Sequence, residues 1–475
     1  MRIRQMLGAR RFLSSAAGGK DYDVVIVGGG MVGAALGALL GASPVTRDAL
    51  RVAVVERANL DKMPSPTASP HPSLRVSTLS HASMRVLDAA GAWQPMLDTG
   101  RVSSFSHMTV WDGLRGGQVN YSGLDVGEAN LGWVAENLLQ QRALLDVNEH
   151  ESPNVDLLYP AEVTGLEYVG GDADSAHSVR LETSEGEMTA GLVVGSDGPM
   201  SQVRGLMGLQ STGFAYNQSG VVATVRLTEP TATAWQRMLP TGPVALLPVG
   251  GTAAVGSDGE PGGDAYASIV WSLPHERAAA VVEMDEDDFL EALRAALEDR
   301  LDAAPTFSLP VGPLAEIFGE RPSPTLPTMT DVVGPRARFP LRMAQTLPYA
   351  KARMALFGDS AHSVHPLAGQ GVNLGYADAA CLAQSIGEAV RTGTDPGEGV
   401  AMDAYVRERI VRTTAMMAGV DAIKRLFSND LGPLAVLRSA GLAVTDRVAP
   451  LKREVIRFAS GQHIDTTNIG RFHSW

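Results

Sequence analysis

Residues 24–40, VVIVGGGMVGAALGALL, run four β-prone residues into three consecutive glycines and then into small side chains of helical spacing. The pattern predicts a strand over Asp23–Val27, a tight turn, and a helix over Met31–Leu40. That is the order a dinucleotide-binding βα unit requires. Gly28 permits the tight bend, Gly30 lets the backbone approach a pyrophosphate, and Gly33 lets helix and strand pack closely. The helix start offers unpaired N–H groups and a partial positive charge to that anion. Glu56 ends the next strand, Arg51–Glu56, 23 residues after Gly33. A carboxylate there can accept hydrogen bonds from an adenosine ribose. Residues 24–45 carry no charge and are long enough to cross a bilayer. Their strand-then-glycine order reads instead as a buried βα unit.

Working outward, the chain has 475 residues, room for one to three domains at about 150 residues each. A composition of 45% hydrophobic and 19% charged residues is that of a globular protein, and excludes a collagen-like fibre or a disordered chain. Thirty-nine basic against 52 acidic residues give a net charge of −13, with no basic stripe to serve nucleic acid. The first 20 residues run against this balance, carrying Arg2, Arg4, Arg10, Arg11 and Lys20 and no acid. That start reads as a mitochondrial targeting segment, with Arg10-Arg11-Phe12-Leu13-Ser14-Ser15 as its cleavage site. A basic tail without an address is the alternative. The one cysteine, Cys381, excludes an internal disulfide and a Cys-rich metal site, and its apolar helical surroundings predict a buried thiol.

Further along, Met63–Ser73 carries prolines at 64, 66, 70 and 72 and predicts an irregular loop. Residues 76–90 and 133–147 read as helices. Further βα units are expected at 191–208 and 353–391. Between them, 218–227, 243–249 and 265–273 read as strands, followed by an amphipathic helix over Asp285–Arg300. Residues 402–460 read as helical with alternating charge.

Two more glycine turns follow predicted strands. One is Gly195-Ser196-Asp197-Gly198, with Arg204 beyond it. The other is Gly358-Asp359-Ser360-Ala361-His362, continuing to Gly369-Gln370-Gly371-Val372-Asn373. Taken in order, the three turns resemble those of the FAD-dependent aromatic hydroxylases of the p-hydroxybenzoate hydroxylase fold. The likeness is greatest to the mitochondrial ring monooxygenases of ubiquinone biosynthesis. It extends over about residues 22–460, through Arg75-Val76-Ser77-Thr78-Leu79, Glu136-Asn137, Gln141-Arg142-Ala143-Leu144 and Val270-Trp271-Ser272. Phe214 stands where a Trp is expected, and Gly116–Gly127 matches nothing in that pattern.

The resemblance implies an α/β chain: a three-layer, Rossmann-like FAD-binding domain, an inserted strand-rich α+β substrate domain, and a C-terminal helical region. The expected division is 1–20 for targeting, 21–98, 136–210 and 340–400 for FAD, 99–135 and 211–339 for substrate, and 401–475 for the helical region. It implies FAD held by Gly28, Gly30, Gly33, Glu56, Arg75, Gln141, Asp197, Asp359, Gly369, Gln370, Gly371 and Asn373. Arg75 would reach the pyrophosphate or ribityl side, Gln141 would face the flavin, Asp359 would bind a ribityl hydroxyl, and Gln370 and Asn373 would line the turn at the pyrimidine end. For Arg75 and Gln141 a plain surface role is the competing reading, and for Asp359 a helix cap. His362 and His365 lack further ligand partners and read as structural, so no metal is expected. No catalytic acid or base stands out.

The implied reaction is hydroxylation, at C5, of a polyprenylated 4-hydroxybenzoate-type ring by O2 through a flavin peroxide. Ferredoxin with its reductase would supply electrons, other ubiquinone-biosynthesis proteins would be partners, and contact with the matrix side of the inner membrane would be peripheral. Two other readings stay open at this point. One is a soluble NAD(P)H-dependent hydroxylase of a small phenol or polyketide. The other is a non-enzymatic prenyl carrier on the same nucleotide fold.

Overall fold

Val24–Val27 are buried on both faces, so Tyr22–Val27 must sit inside a sheet rather than at its edge. In the computed structural model, which describes residues 21–114, 117–172, 176–250, 264–298, 324–428 and 432–461, it does. Tyr22–Val27 pairs in parallel with Val52–Val55 on one side and Gly186–Gly195 on the other. Val155–Leu158 and Met354–Leu356 extend the sheet in parallel at the two flanks. The connections therefore leave the central strand in opposite directions, which opens a crevice at its carboxyl end. Helix Met31–Ala42 packs on this sheet and against helices Asn137–His150 and Gln370–Thr392. An antiparallel extension of Val163–Val169 and Ser178–Thr183 on Gly186–Gly195 completes three layers.

The inserted domain is built on an eight-stranded sheet. Its order is His362–Ser363, Met329–Thr346, Ser211–Leu227, Ala265–Pro274, Val244–Val249, Thr233–Met238, His107–Asp112, Gln118–Ser122. Strand alternation gives it two different faces. Val221, Ile269 and Trp271 point to one side, where Phe289, Leu290 and Leu293 of helix Glu286–Glu298 cover them. Val222, Ser268, Val270 and Ser272 point to the other, toward a cavity. A small sheet of Val76–Leu79, Gly132–Glu136 and Ser103–Phe105 lies beside it.

Two expected helices begin later than their sequence suggests. Residues 76–90 form the strand Val76–Leu79 and then the helix His81–Ala89. Residues 133–147 form the end of strand Gly132–Glu136 and then the helix from Asn137. The β-branched Val76, Thr78 and Val134 favour extended backbone, and Ser80 accepts a hydrogen bond from Ser83 N–H as an N-cap. Glu136 is fully buried, accepting from Arg101 Nε at 2.7 Å and from Ser73 N–H at 2.6 Å. The expected targeting segment lies outside the described residues.

The C-terminal region is three helices, Gly399–Phe427, Gly432–Arg447 and Ala449–Ala459. None of the described helices is long and apolar enough to cross a membrane. The middle helix is locked to the substrate sheet by a buried ion pair. Arg438 donates to Asp112 at 2.9 and 3.1 Å, with neither side chain exposed. Arg438→Ala leaves Asp112 buried without its cation. Such a loss costs about 3–5 kcal/mol, and denaturant titration of the variant against wild type is the check.

Candidate functional site

The three glycine turns leave the carboxyl ends of three adjacent strands, Tyr22–Val27, Gly186–Gly195 and Met354–Leu356. Gly28 has φ +107°, and a Cβ there would meet Ser196 O at 2.6 Å. A Cβ on Gly33 would lie 1.9 Å from Gly28 O, so helix and turn touch through backbone alone. Gly30 is different. It caps helix Met31–Ala42 with no side-chain partner, and a Cβ there would meet nothing within 4 Å. The helix N–H groups thus face open space, as an anion site requires.

The remaining expected residues divide into those that face the cavity and those that brace it. Glu56 accepts from Gly29 N–H and Ala58 N–H, both at 2.7 Å, holding the end of its strand to the glycine turn. Each of its oxygens keeps a lone pair for a ribose hydroxyl. Gln141 donates to Gly29 O at 2.8 Å, so its amide braces the glycine turn. Asp197 is a brace as well. Its oxygens accept from Ser201 Oγ, Ser360 Oγ, Gln202 N–H and Val203 N–H, which makes it a cap and a clamp between the second and third turns. Arg204 reinforces that clamp by donating to Ser360 O at 2.9 Å.

Asp359 opens into the cavity and makes no hydrogen bond among the described residues. Enclosure by protein raises its carboxyl above the ordinary value, while His362, Arg342 and Arg75 pull the other way. A carboxylate so placed can accept from the hydroxyls of a ligand in the cavity. Arg75 is exposed on the same cavity wall, where its charge reaches Asp359.

Gly369 takes φ +59°, and a Cβ there would strike Thr78 Oγ1 at 2.0 Å. Gly371, the second residue of helix Gln370–Thr392, has open space before it. Asn373 borders the cavity but is a lock. It donates to Thr78 O and Gly369 O and accepts from Ser80 N–H and Ser83 Oγ. Gln370 reaches the last helix, donating to Ala459 O at 3.2 Å.

Beneath the third turn lies Asp378, fully buried. It accepts from Gly358 N–H at 3.0 Å, His362 Nε2 at 2.6 Å and Arg409 Nε at 2.6 Å. Burial alone would push its carboxyl up, but His362 and Arg409 hold it down to about 2. His365 is also buried, edge-on to Tyr216, and its Nδ1 accepts from Leu367 N–H. Burial, with Lys424 nearby, lowers it to about 4. Both histidines are thus occupied in the scaffold. Cys381 is buried beside Glu408, and burial pushes its thiol up to about 12.

These walls enclose a cavity of about 1010 Å³. That is at the top of the ~300–1,000 Å³ usual for one ligand, and leaves room for a second molecule beside a cofactor's ring. The floor is the alternating face of the eight-stranded sheet, mostly Val222, Ala234, Ala245, Leu247 and Val270. Ser268 stands among them, nearly fully buried, its Oγ without a partner among the described residues. Tyr121 closes one side, and burial beside Asp446 pushes its phenol up to about 12.

The chain matches the family described as FAD binding domain over residues 21–305 and 324–420. It is 34% identical over 470 residues to the mouse mitochondrial ubiquinone biosynthesis monooxygenase COQ6, covering 96% of this chain and 94% of that one. Its identity to the human COQ6 protein is 35% over 463 residues, 94% of each chain. This chain belongs to the COQ6 monooxygenase family. It is an FAD-dependent monooxygenase. Among solved structures, the fold is shared with Pseudomonas aeruginosa PqsL in complex with 2-aminobenzoylacetate, at TM-score 0.65 and 23% identity over 89% of this chain and 99% of that one. It is shared too with the p-nitrophenol 4-monooxygenase PnpA of Pseudomonas putida, at TM-score 0.63 and 18% identity over 92% and 98%.

FAD fits what the residues offer: an uncapped helix start at Gly30, open space at Gly371, and an exposed carboxylate at Asp359 on the same cavity. Sequence reasoning missed Asp378 with Arg409, Arg342 and Ser268. Arg409 lies in residues 402–460, which read from the sequence only as helical with alternating charge. Ser268 is one small residue in a strand, and only the period-2 alternation about Trp271 could have marked its face.

Gly30→Glu puts a side chain and a charge where the pyrophosphate belongs. The purified variant should lose its flavin absorption, and a variant holding stoichiometric FAD would contradict the assignment. His365 gives a pH prediction. Its folded value is about 4 and its ordinary value 6.5, so the unfolded chain binds the extra proton in that window. Stability is therefore full above about pH 6.5 and falls toward pH 4, by up to about 3 kcal/mol from this group. His365→Asn keeps an acceptor for Leu367 N–H and cannot protonate, so its melting temperature should fall less over the same range.

Proposed function

We propose that this monooxygenase hydroxylates the aromatic ring, at C5, of a polyprenylated 4-hydroxybenzoate-type precursor in ubiquinone biosynthesis, on the matrix side of the mitochondrial inner membrane. The observation that carries this is the shared cavity: one wall is the cofactor cradle and the opposite wall is an apolar sheet face with isolated polar groups. Full-length similarity to COQ6 proteins supports the pathway. FAD, when bound, supplies O2 activation and transfer of one oxygen atom.

The chain's own residues bind, orient and exclude water. Gly30 and the start of helix Met31–Ala42 hold the pyrophosphate, and Asp359 accepts from a ribityl hydroxyl. The start of helix Gln370–Thr392, held open by Gly369 and Gly371, directs its N–H groups and partial positive charge at the pyrimidine end of the ring. The apolar floor keeps water from the reacting centre. Residues 21–98, 136–210 and 340–400 serve the cofactor, and 99–135 and 211–339 the substrate. Ferredoxin with its reductase delivers the electrons.

The test is anaerobic reduction of the full chain by NADPH alone and by ferredoxin with its reductase, followed by O2 and analysis of the product. Bleaching only through ferredoxin, with one oxygen added to a prenylated 4-hydroxybenzoate, is the expected result. Rapid bleaching by NADPH alone, with turnover only of a small phenol, would overturn the reading.

A further inference from the structure

We propose that Gln236 positions the substrate's phenolic hydroxyl, accepting a hydrogen bond from it through Oε1 on the floor of the cavity. This rests on the prenylated-phenol reading above and adds the residue that orients the ring.

Gln236 lies on strand Thr233–Met238, among apolar neighbours. It stands opposite Ala245 on one side and Val110 on the other, with Ala234 two residues before it on the same face. Ala234 and Ala245 are small, and the longer Gln236 borders the cavity between them while only 7% exposed. An amide in such surroundings costs stability unless its polar atoms are paired. Here one half is paired: Nε2 donates to Met238 Sδ at 3.3 Å, a weak acceptor. Oε1 accepts from no donor among the described residues, and unlike Ser268 Oγ it is not closed off from the cavity.

The position is close to the cofactor cradle. Met238, about 7 Å further along the strand, belongs to an apolar cluster with Leu367 and Leu374. Leu367 lies in the turn before Gly369, and Leu374 in the helix that follows it. Gln236 therefore lies where the substrate sheet meets the third glycine turn, at the end of the cavity assigned above to the flavin ring.

Chemistry selects the occupant. The group at this point must donate to a carbonyl oxygen and cover an otherwise apolar wall. A phenol does both, since its O–H donates and its ring lies on the alanines. A carboxylate offers Oε1 no donor, so the amide distinguishes the hydroxyl end of a 4-hydroxybenzoate from the carboxyl end. Accepting from the O–H also leaves more electron density on the phenolic oxygen and on the ring carbons ortho to it, of which C5 is one. The amide does not titrate, so Gln236 orients and polarises the phenol without removing its proton.

The experiment titrates the full-length FAD-bound protein with 4-hydroxy-3-prenylbenzoate and with 3-prenylbenzoate, which lacks the phenol. Binding is read from the change in flavin absorption. Wild type should bind the phenol about tenfold more tightly, the effect of one hydrogen bond. Gln236→Leu keeps the bulk and loses the acceptor. It should hold stoichiometric FAD, bind 3-prenylbenzoate as wild type does, and lose the preference for the phenol. Gln236→Glu keeps an acceptor and should restore that preference. Equal weakening of both ligands in Gln236→Leu would mean that the residue only shapes the cavity, and would overturn the proposal. So would a preference that survives Gln236→Leu, or a wild type that binds the two ligands alike. A wild type that binds neither would overturn the prenylated-phenol reading, and this proposal with it.

Discussion

One buried carboxylate, Asp378, sets the geometry of the cofactor side. Burying an ion costs several kcal/mol unless it is paired and hydrogen-bonded. Asp378 meets that condition through Gly358 N–H, His362 and Arg409. The three donors come from a backbone turn, a strand and a distant helix. Satisfying the charge therefore fixes the turn at 358–363 against helices Gln370–Thr392 and Gly399–Phe427. That turn carries Asp359. It also passes from the first sheet to the second, because His362 and Ser363 pair with Gln345 and Ala344. The angle between cradle and substrate sheet is thus tied to one ion cluster.

The cavity follows from two periodicities meeting across that hinge. On one side, helix starts at Gly30 and Gly369 aim backbone N–H groups into the space. On the other, alternation sends Trp271 and Ile269 into a helix-covered core and Ser268, Val270 and Ser272 into the cavity. The result is a site polar where a cofactor's phosphates and sugars belong and apolar where an aromatic ring with a long tail belongs. The C-terminal helices complete it, with Arg438 gripping Asp112 and Ala459 meeting Gln370.

Much of this was legible in the sequence, for physical reasons. The glycine turns could be read because backbone contact at Gly28 and Gly33 admits no other residue. The strands of the inserted domain could be read because Gly, Pro and Asp turns bound short β-prone runs. The starts of two helices were misread because Val76–Leu79 and Gly132–Glu136 are short strands running directly into helices, so two periods merge in one window. That Gln141 and Asp197 also brace the turns was not legible, since a side chain's direction depends on partners more than 100 residues away. Arg409 was illegible for the same reason: only the fold brings it to Asp378.

The most direct measurement is the visible absorption spectrum of the purified full-length chain, with the bound cofactor released by denaturation and counted. Three turns converging on one cradle predict a yellow protein carrying stoichiometric FAD, which rebinds after removal. A colourless protein that takes up no FAD when supplied with it would contradict the account.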